Sequence, residues 1–207
     1  MIASGPFLQY RSFLTPPLLH AGPSIAKNFW TLVERMMGYL KKNEFQCEPL
    51  LNELDGIRDG SVASLQTACL AISVGVESLV DILLDKNEVQ KPVDELEATD
   101  ALLDLIDKWE GNKDLKGRAK TLIGSLRSPR AVDALYCFAN RKKIDHRLVR
   151  AWKSVRDRKA HGKSPVAGQT LQDQYYAVVE LFYRLVADAV GYDGLIAQTS
   201  ERGWGRG

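Results

Sequence analysis

The stretch from Ser61 to Lys86 restricts the fold more than any other part of the chain. Leu65, Cys69, Ile72, Val76, Leu79, Val80 and Leu83 recur there at helical spacing and fill more than one face. A helix apolar around most of its circumference must be surrounded by other elements, so this one belongs at the centre of a bundle. Nowhere does the chain show sustained period-2 alternation with β-branched enrichment. The expectation is an all-α fold, a helical bundle of five to seven helices with short connectors. Within Ser61–Lys86 the apolar run Ala68–Leu84 carries Glu77 and Asp81. It reads as too short and too charged to span a bilayer, so a soluble protein is expected, with no membrane partner.

The other helices follow from apolar periodicity and end signals. One runs from Ser24 to about Asn43 with Phe29, Leu32, Val33, Met36, Met37 and Leu40 as its stripe. Asn52 to Gly60 is rich in Asp and Gly and reads as a connector. Pro92 opens a helix over Val93–Glu110, whose apolar set is Leu96, Leu102, Leu103, Leu105, Ile106 and Trp109, and Gly111-Asn112 ends it. Asp114–Leu126, Ala131–Asn140 (announced by Ser128-Pro129), Asp145–Ala160 and Leu171–Val190 complete the set. Trp30, Trp109 and Trp152 lie on these stripes and read as core.

Residues 24–195 thus suit one helical domain, in keeping with a length of 207 residues and a hydrophobic content of 45%. Residues 1–23 form an apolar arm, since Phe7, Leu8, Tyr10, Phe13, Leu14, Leu18 and Leu19 are too apolar for a loose tail while Pro6, Pro16 and Pro17 break a helix. It packs on the body or on a partner subunit, or is the remnant of a preceding domain. Residues 196–207 read as a flexible Gly-rich tail. No basic segment followed by an apolar run opens the chain, so no signal peptide is expected. Cys47, Cys69 and Cys137 form no CxxC, and the apolar neighbours of Cys69 and Cys137 predict buried, reduced thiols and a cytoplasmic location.

The net charge of +2 conceals a segregation. From Glu44 to Glu110 there are 16 acidic residues against 4 basic ones, a net of −12, and from Arg141 to Lys163 there are 10 basic against 2 acidic, a net of +8. Such a basic block is the footprint of a polyanion binder, or a solvated face that docks on the molecule's own acidic half.

The basic block centres on Asp145–Ala160, where Leu148, Ala151, Trp152 and Val155 form an apolar stripe and Arg150, Lys153, Arg156 and Lys159 line its flank. His161 lies five residues beyond Arg156, about 140° round an ideal helix. The two converge only if the helix ends or distorts near Ala160, with Gly162 as its C′ residue, or if they meet on a ligand across a subunit boundary. Neighbouring cations should keep His161 neutral and able to accept a proton, while Arg156 offers a bidentate fork for phosphate. A neutral imidazole beside a fixed guanidinium suits metal-free RNA cleavage. The alternative is a helix-terminal His161 that caps carbonyls. His146, in the first turn of the same helix, reads as a surface or capping residue. Glu77 sits in or at the edge of an apolar face and needs a partner, either in a structural ion pair or in a site.

No His, Cys, Asp and Glu stand at metal-ligand spacing, and there is no phosphate-binding Gly-rich loop, dinucleotide fingerprint or nucleophile elbow. No metal or cofactor is expected.

Val155-Arg156-Asp157-Arg158-Lys159-Ala160-His161-Gly162, with Trp152 just before it, resembles the Arg-polar-x-x-x-His motif of the HEPN superfamily (higher eukaryotes and prokaryotes nucleotide-binding domains). Ala71–Leu79, with Glu77 in an apolar context, resembles an early helix of that family, and the similarity covers roughly residues 61–195. It implies an all-α bundle that forms a homodimer with two motifs at one cleft. It further implies a metal-independent endoribonuclease of the kind used in toxin–antitoxin, abortive-infection and other anti-phage systems. Arg156 and His161 would then be catalytic, with Asp157 at the polar position where Asn is commoner. Lys153, Arg158, Lys159 and Lys163 would hold RNA, Glu77 would be accessory, and an antitoxin or further defence subunit would be a partner. One toxin subgroup has a modified Tyr two residues after the His; Lys163 stands there in this chain, so that control is not expected. Two other readings stand beside this one: a catalytically silent HEPN bundle that binds RNA or nucleotide or serves as an assembly module, and a plain helical interaction protein.

Overall fold

A computed structural model describes residues 25–44, 48–84, 89, 91–160 and 168–199. They form eight α-helices and no β-strand, the all-α architecture expected. In order these are α1 (Ile25–Lys42), α2 (Glu48–Ala63), α3 (Leu65–Leu83), α4 (Val93–Lys108), α5 (Lys113–Gly124), α6 (Ala131–Lys142), α7 (His146–Ala160) and α8 (Gly168–Ala189). A 3-10 turn, Ser125–Arg127, follows α5. Asn52–Gly60, expected as a connector, is part of α2. The chain divides into two compact units, Met1–Leu83 with Asp145–Gly207, and Leu84–Ile144.

In the first unit α3 is central, packing against α2, α7 and α8. It begins at Leu65 because Ser64 caps it: the Ser64 hydroxyl accepts the Thr67 N–H at 3.1 Å. Gly60 of α2 and Gly75 of α3 let the two helices approach closely. A Cβ at Gly60 would lie 2.5 Å from the Ala71 Cβ, and one at Gly75 would lie 2.9 Å from the Ile57 Cδ1. Leu50 and Ile57, one heptad apart, supply the buried face of α2. Tertiary contact outweighs the propensity cost of glycine, roughly 1 kcal/mol each.

On α3 itself Ala68, Cys69, Ile72, Ser73, Val76, Leu79 and Val80 are buried, so Cys69 is the core thiol expected. Among the described residues α3 is the single helix long and apolar enough to cross a membrane, and three neighbouring helices pack against it. α8 is buried along almost its whole length, from Tyr175 to Tyr183 without a break. Burial pushes the Tyr183 phenol far above its ordinary range. The end of α8 is set by Gly191, whose φ of +68° lets the Tyr192 N–H reach the Ala187 carbonyl at 2.8 Å. Ala197 and Thr199 are also buried, and Thr199 donates to the Tyr176 carbonyl at 2.8 Å. These two residues fall in the segment expected as a flexible tail; residues 200–207 and the arm 1–23 lie outside the described residues.

On α1 the expected stripe exists, yet none of its residues from Ala26 to Lys42 is buried. Trp30, expected in the core, is 68% exposed and packs edge-on against Phe29 at a centroid distance of 5.4 Å. Periodicity identifies which side of a helix is apolar, not whether another element covers it.

The second unit is built on an α4–α5 hairpin. α4 stops at Lys108 because Trp109 turns extended, at φ −74° and ψ 123°, so Trp109 is exposed and not core. Asn112 starts the next helix instead of ending the last: its side-chain oxygen accepts the Asp114 and Leu115 N–H groups at 2.9 and 3.0 Å. Lys116 donates to the Asp107 and Trp109 carbonyls at the α4 C-terminus, and Lys120 pairs with Asp107 at 2.6 Å. Asp133 accepts the Arg130 N–H at 3.0 Å, closing the first turn of α6. At its far end Lys143 adopts φ 53°, and the Ile144 N–H reaches the Ala139 carbonyl at 2.8 Å. Cys137 is exposed, contrary to expectation, because Ala134, Leu135, Phe138 and Ala139 define the buried face of α6 and Cys137 points away from it.

Candidate functional site

α7 carries the candidate motif, and its start is as read from the sequence: the Asp145 carboxylate accepts the Arg147 N–H at 2.8 Å. Leu148, Val149, Trp152 and Val155 are buried, which fixes the rotation of the helix against α3 and α8. Ser154 on α7 also accepts a hydrogen bond from Gln174 on α8 at 3.2 Å.

With α7 held in this way, Arg156 emerges beside Glu77 of α3. Its Nε donates to Glu77 Oε2 at 2.9 Å and its Nη2 donates to Oε1 at 2.7 Å, a fork-to-fork pair joining residues 79 apart in sequence. The two side chains are 44% and 37% exposed, so the pair lies at the rim of the packed interior and not inside it. The hydrogen bonds to Glu77 raise the Arg156 pKa above its ordinary value, burial works against this, and the charges of Glu77 and Asp157 add to the rise. One turn earlier, the Trp152 ring lies under the guanidinium, 5.6 Å from centroid to Cζ. Trp152 is locked in turn, since its Nε1 donates to the Ser73 carbonyl at 3.1 Å while the Ser73 hydroxyl donates to the Cys69 carbonyl at 2.7 Å. A chain of contacts therefore runs from the α3 backbone through Trp152 to one well-defined Arg156.

The candidate residues fare differently. Glu77 and Arg156 are brought together, and Glu77 has the partner its apolar setting required. Asp157 is half-buried on the flank of α7, and Lys153 is exposed. The side chains of Arg158 and Lys159 lie outside the described residues, as do His161 and Lys163 altogether. His146 is half-buried in the first turn of α7. Sequence reading missed a more deeply buried carboxylate–guanidinium pair: Glu180, 3% exposed, accepts from Arg184 Nε and Nη2 at 3.2 and 2.8 Å along α8. A Glu four residues before an Arg inside an apolar stripe was the available signal.

A cavity of about 800 Å³ opens between α1 and the C-terminal ends of α3 and α8, lined among others by Glu34, Arg35, Tyr39, Lys42, Ile82 and Asp188. None of the described candidate residues lines it. Among the described residues no cluster of His, Cys, Asp and Glu is arranged to hold a metal ion. Comparison of the chain with protein-family models, with curated proteins and with solved structures finds no match.

Proposed function

We propose that the chain is a metal-independent endoribonuclease of the HEPN type, acting in the cytoplasm of a prokaryotic cell as a toxin or anti-phage element. The observation that carries this reading is the Glu77–Arg156 fork. The two segments on which the family resemblance rests, Ala71–Leu79 and Trp152–Gly162, meet through those two side chains. A guanidinium has five N–H donors, and Glu77 engages two of them. The rest stay available at a half-exposed edge, where phosphate oxygens of RNA can be bound.

In the proposed reaction His161 takes the proton of the ribose 2′-OH, the 2′-oxygen attacks phosphorus, and the bond to the 5′-oxygen breaks. The leaving 5′-oxygen takes a proton from the imidazolium or from water, and the product is a 2′,3′-cyclic phosphate. Arg156 stabilises charge on the pentavalent phosphate, with Asp157 beside it and Lys153, Arg158, Lys159 and Lys163 holding the strand. Two copies of the motif share one cleft in a homodimer, and an antitoxin or further defence subunit controls it. A specific feature favours the silent, RNA-binding alternative: Asp157 stands where the family has Asn more often.

The test is cleavage of single-stranded RNA by the purified chain in EDTA. Wild type should yield 2′,3′-cyclic phosphate ends, and Arg156→Ala and His161→Ala should each lower the rate at least about a hundredfold with unchanged helicity. RNA binding without cleavage by wild type selects the silent alternative. Cleavage that needs Mg²⁺ or survives both substitutions overturns the reading.

A further inference from the structure

α7 carries six cations and one aspartate, a net of +5. Arg147 pairs with Asp145 at 3.1 Å, and Arg156 is held by Glu77. Arg150 and Lys153 are exposed and make no hydrogen bond or ion pair among the described residues. No carboxylate stands three or four residues to either side of Arg150. Asp157, the one aspartate of the helix, lies four residues beyond Lys153, and its charge acts on Arg156. Like charges at this spacing repel along a helix. The fold leaves that repulsion standing, and a bound polyanion relieves it.

Arg150, Lys153 and Arg156 occupy successive i, i+3 positions. Such neighbours are about 5–6 Å apart, and each step turns about 60° round the helix. Burial of Leu148, Trp152 and Val155 turns the opposite side of α7 outward, and Arg150 and Lys153 stand on it. Arg156 follows at the edge of that side, where Glu77 aims the guanidinium. Three cations in file suit a chain of phosphates, whose charges also recur at a short, regular interval.

We propose that Arg150 and Lys153 extend the phosphate site of Arg156, so that a single RNA strand crosses the outward side of α7 with one phosphate per cation. The place of the cut rests on the ribonuclease reading; the path of the strand does not. The substrate therefore reaches about two nucleotides beyond the cut on one side. Fluorescence anisotropy over a salt series tests the path, with circular dichroism as the check on folding. The probe is a 2′-O-methyl oligouridine of about twelve nucleotides, which has no 2′-OH to attack. Arg150→Gln and Lys153→Gln should each lower the slope of log affinity against log salt by about 0.7, and together by about 1.4. Arg150→Lys, which keeps the charge, should hold the wild-type slope, and so should Arg118→Gln on α5. Cleavage supplies the second readout. Trimming an RNA substrate to a dinucleotide should lower wild-type kcat/KM at least about tenfold and cost the double variant little. The expected slopes without cleavage keep the strand path and remove the ribonuclease reading, and cleavage with unchanged slopes does the reverse. A wild type that binds no oligonucleotide, an equal loss in Arg118→Gln, or displacement of the probe by polyglutamate with equal affinity per charge overturns the proposal.

Discussion

The α3–α7–α8 interior and the α4–α5 hairpin are made of the same kinds of residue but use them in opposite ways. In the first, Ile72, Val76, Leu79, Trp152, Phe182 and Leu185 are each no more than 1% exposed. In the second, α5 has no buried residue at all, and α4 buries only Thr99. The interior converts its apolar residues into packing contacts within one chain. The hairpin is fastened by the Asn112 cap and by the Lys116 and Lys120 contacts, and leaves Leu102, Leu105, Leu115 and Leu122 exposed. An apolar stripe thus marks a helix face without fixing whether the chain covers it.

The contrast can be broken most directly by truncation. Trp152→Ala should destabilise the chain by about 3–5 kcal/mol, because a fully buried indole leaves a cavity and its hydrogen bond to the Ser73 carbonyl is lost. Leu122→Ala should change the stability of the monomer by no more than about 0.5 kcal/mol. Urea denaturation at concentrations that keep the chain monomeric reads both, and equal losses would remove the distinction between the two regions. A smaller effect is expected where two helices touch: Gly60→Val should cost about 1–3 kcal/mol, since its side chain must displace Ala71. No loss there would mean that α2 and α3 do not depend on close approach.

The ion pair at the start of α6 should contribute least. Burial pushes the Asp133 carboxyl up, but the Arg130 side chain and backbone donors, with the charges of Arg130 and Lys91, outweigh it and hold the carboxyl below its ordinary value. A carboxylate depressed in the folded state stabilises it above the unfolded pKa, near 4, and that contribution is lost as pH falls through the lower folded value. The urea midpoint should therefore fall between pH 5 and pH 3, and Asp133→Asn should reduce that fall by an amount worth less than about 1 kcal/mol. A variant with the wild-type acid response would show that the ion pair does not contribute.

The helices themselves were legible because each carries its signal locally. Asp145 and Pro92 mark helix starts, Gly191 marks an end, and the stripes of α3 and α8 recur with a helical period. α2 was not legible, since Gly56, Asp59 and Gly60 read locally as a turn, and only the packing of α3 against Gly60 accounts for the glycine there. Asn112 is ambiguous for another reason: asparagine is common both just past the end of one helix and at the cap of the next, and here it caps α5. Of the candidate site, sequence spacing identified Arg156 and the need of Glu77 for a partner. It did not pair them, because they stand 79 residues apart and only the packing of α7 on α3 brings them face to face.

The all-α class, most helix limits and the basic character of α7 follow from propensity, capping and periodicity within a few turns of chain. Only packing makes α2 a helix, puts Trp152 in the core while Trp30 and Trp109 are exposed, and holds the Arg156 guanidinium on Glu77. Burial and ion pairing are properties of two surfaces in contact, and a single segment specifies only one of them.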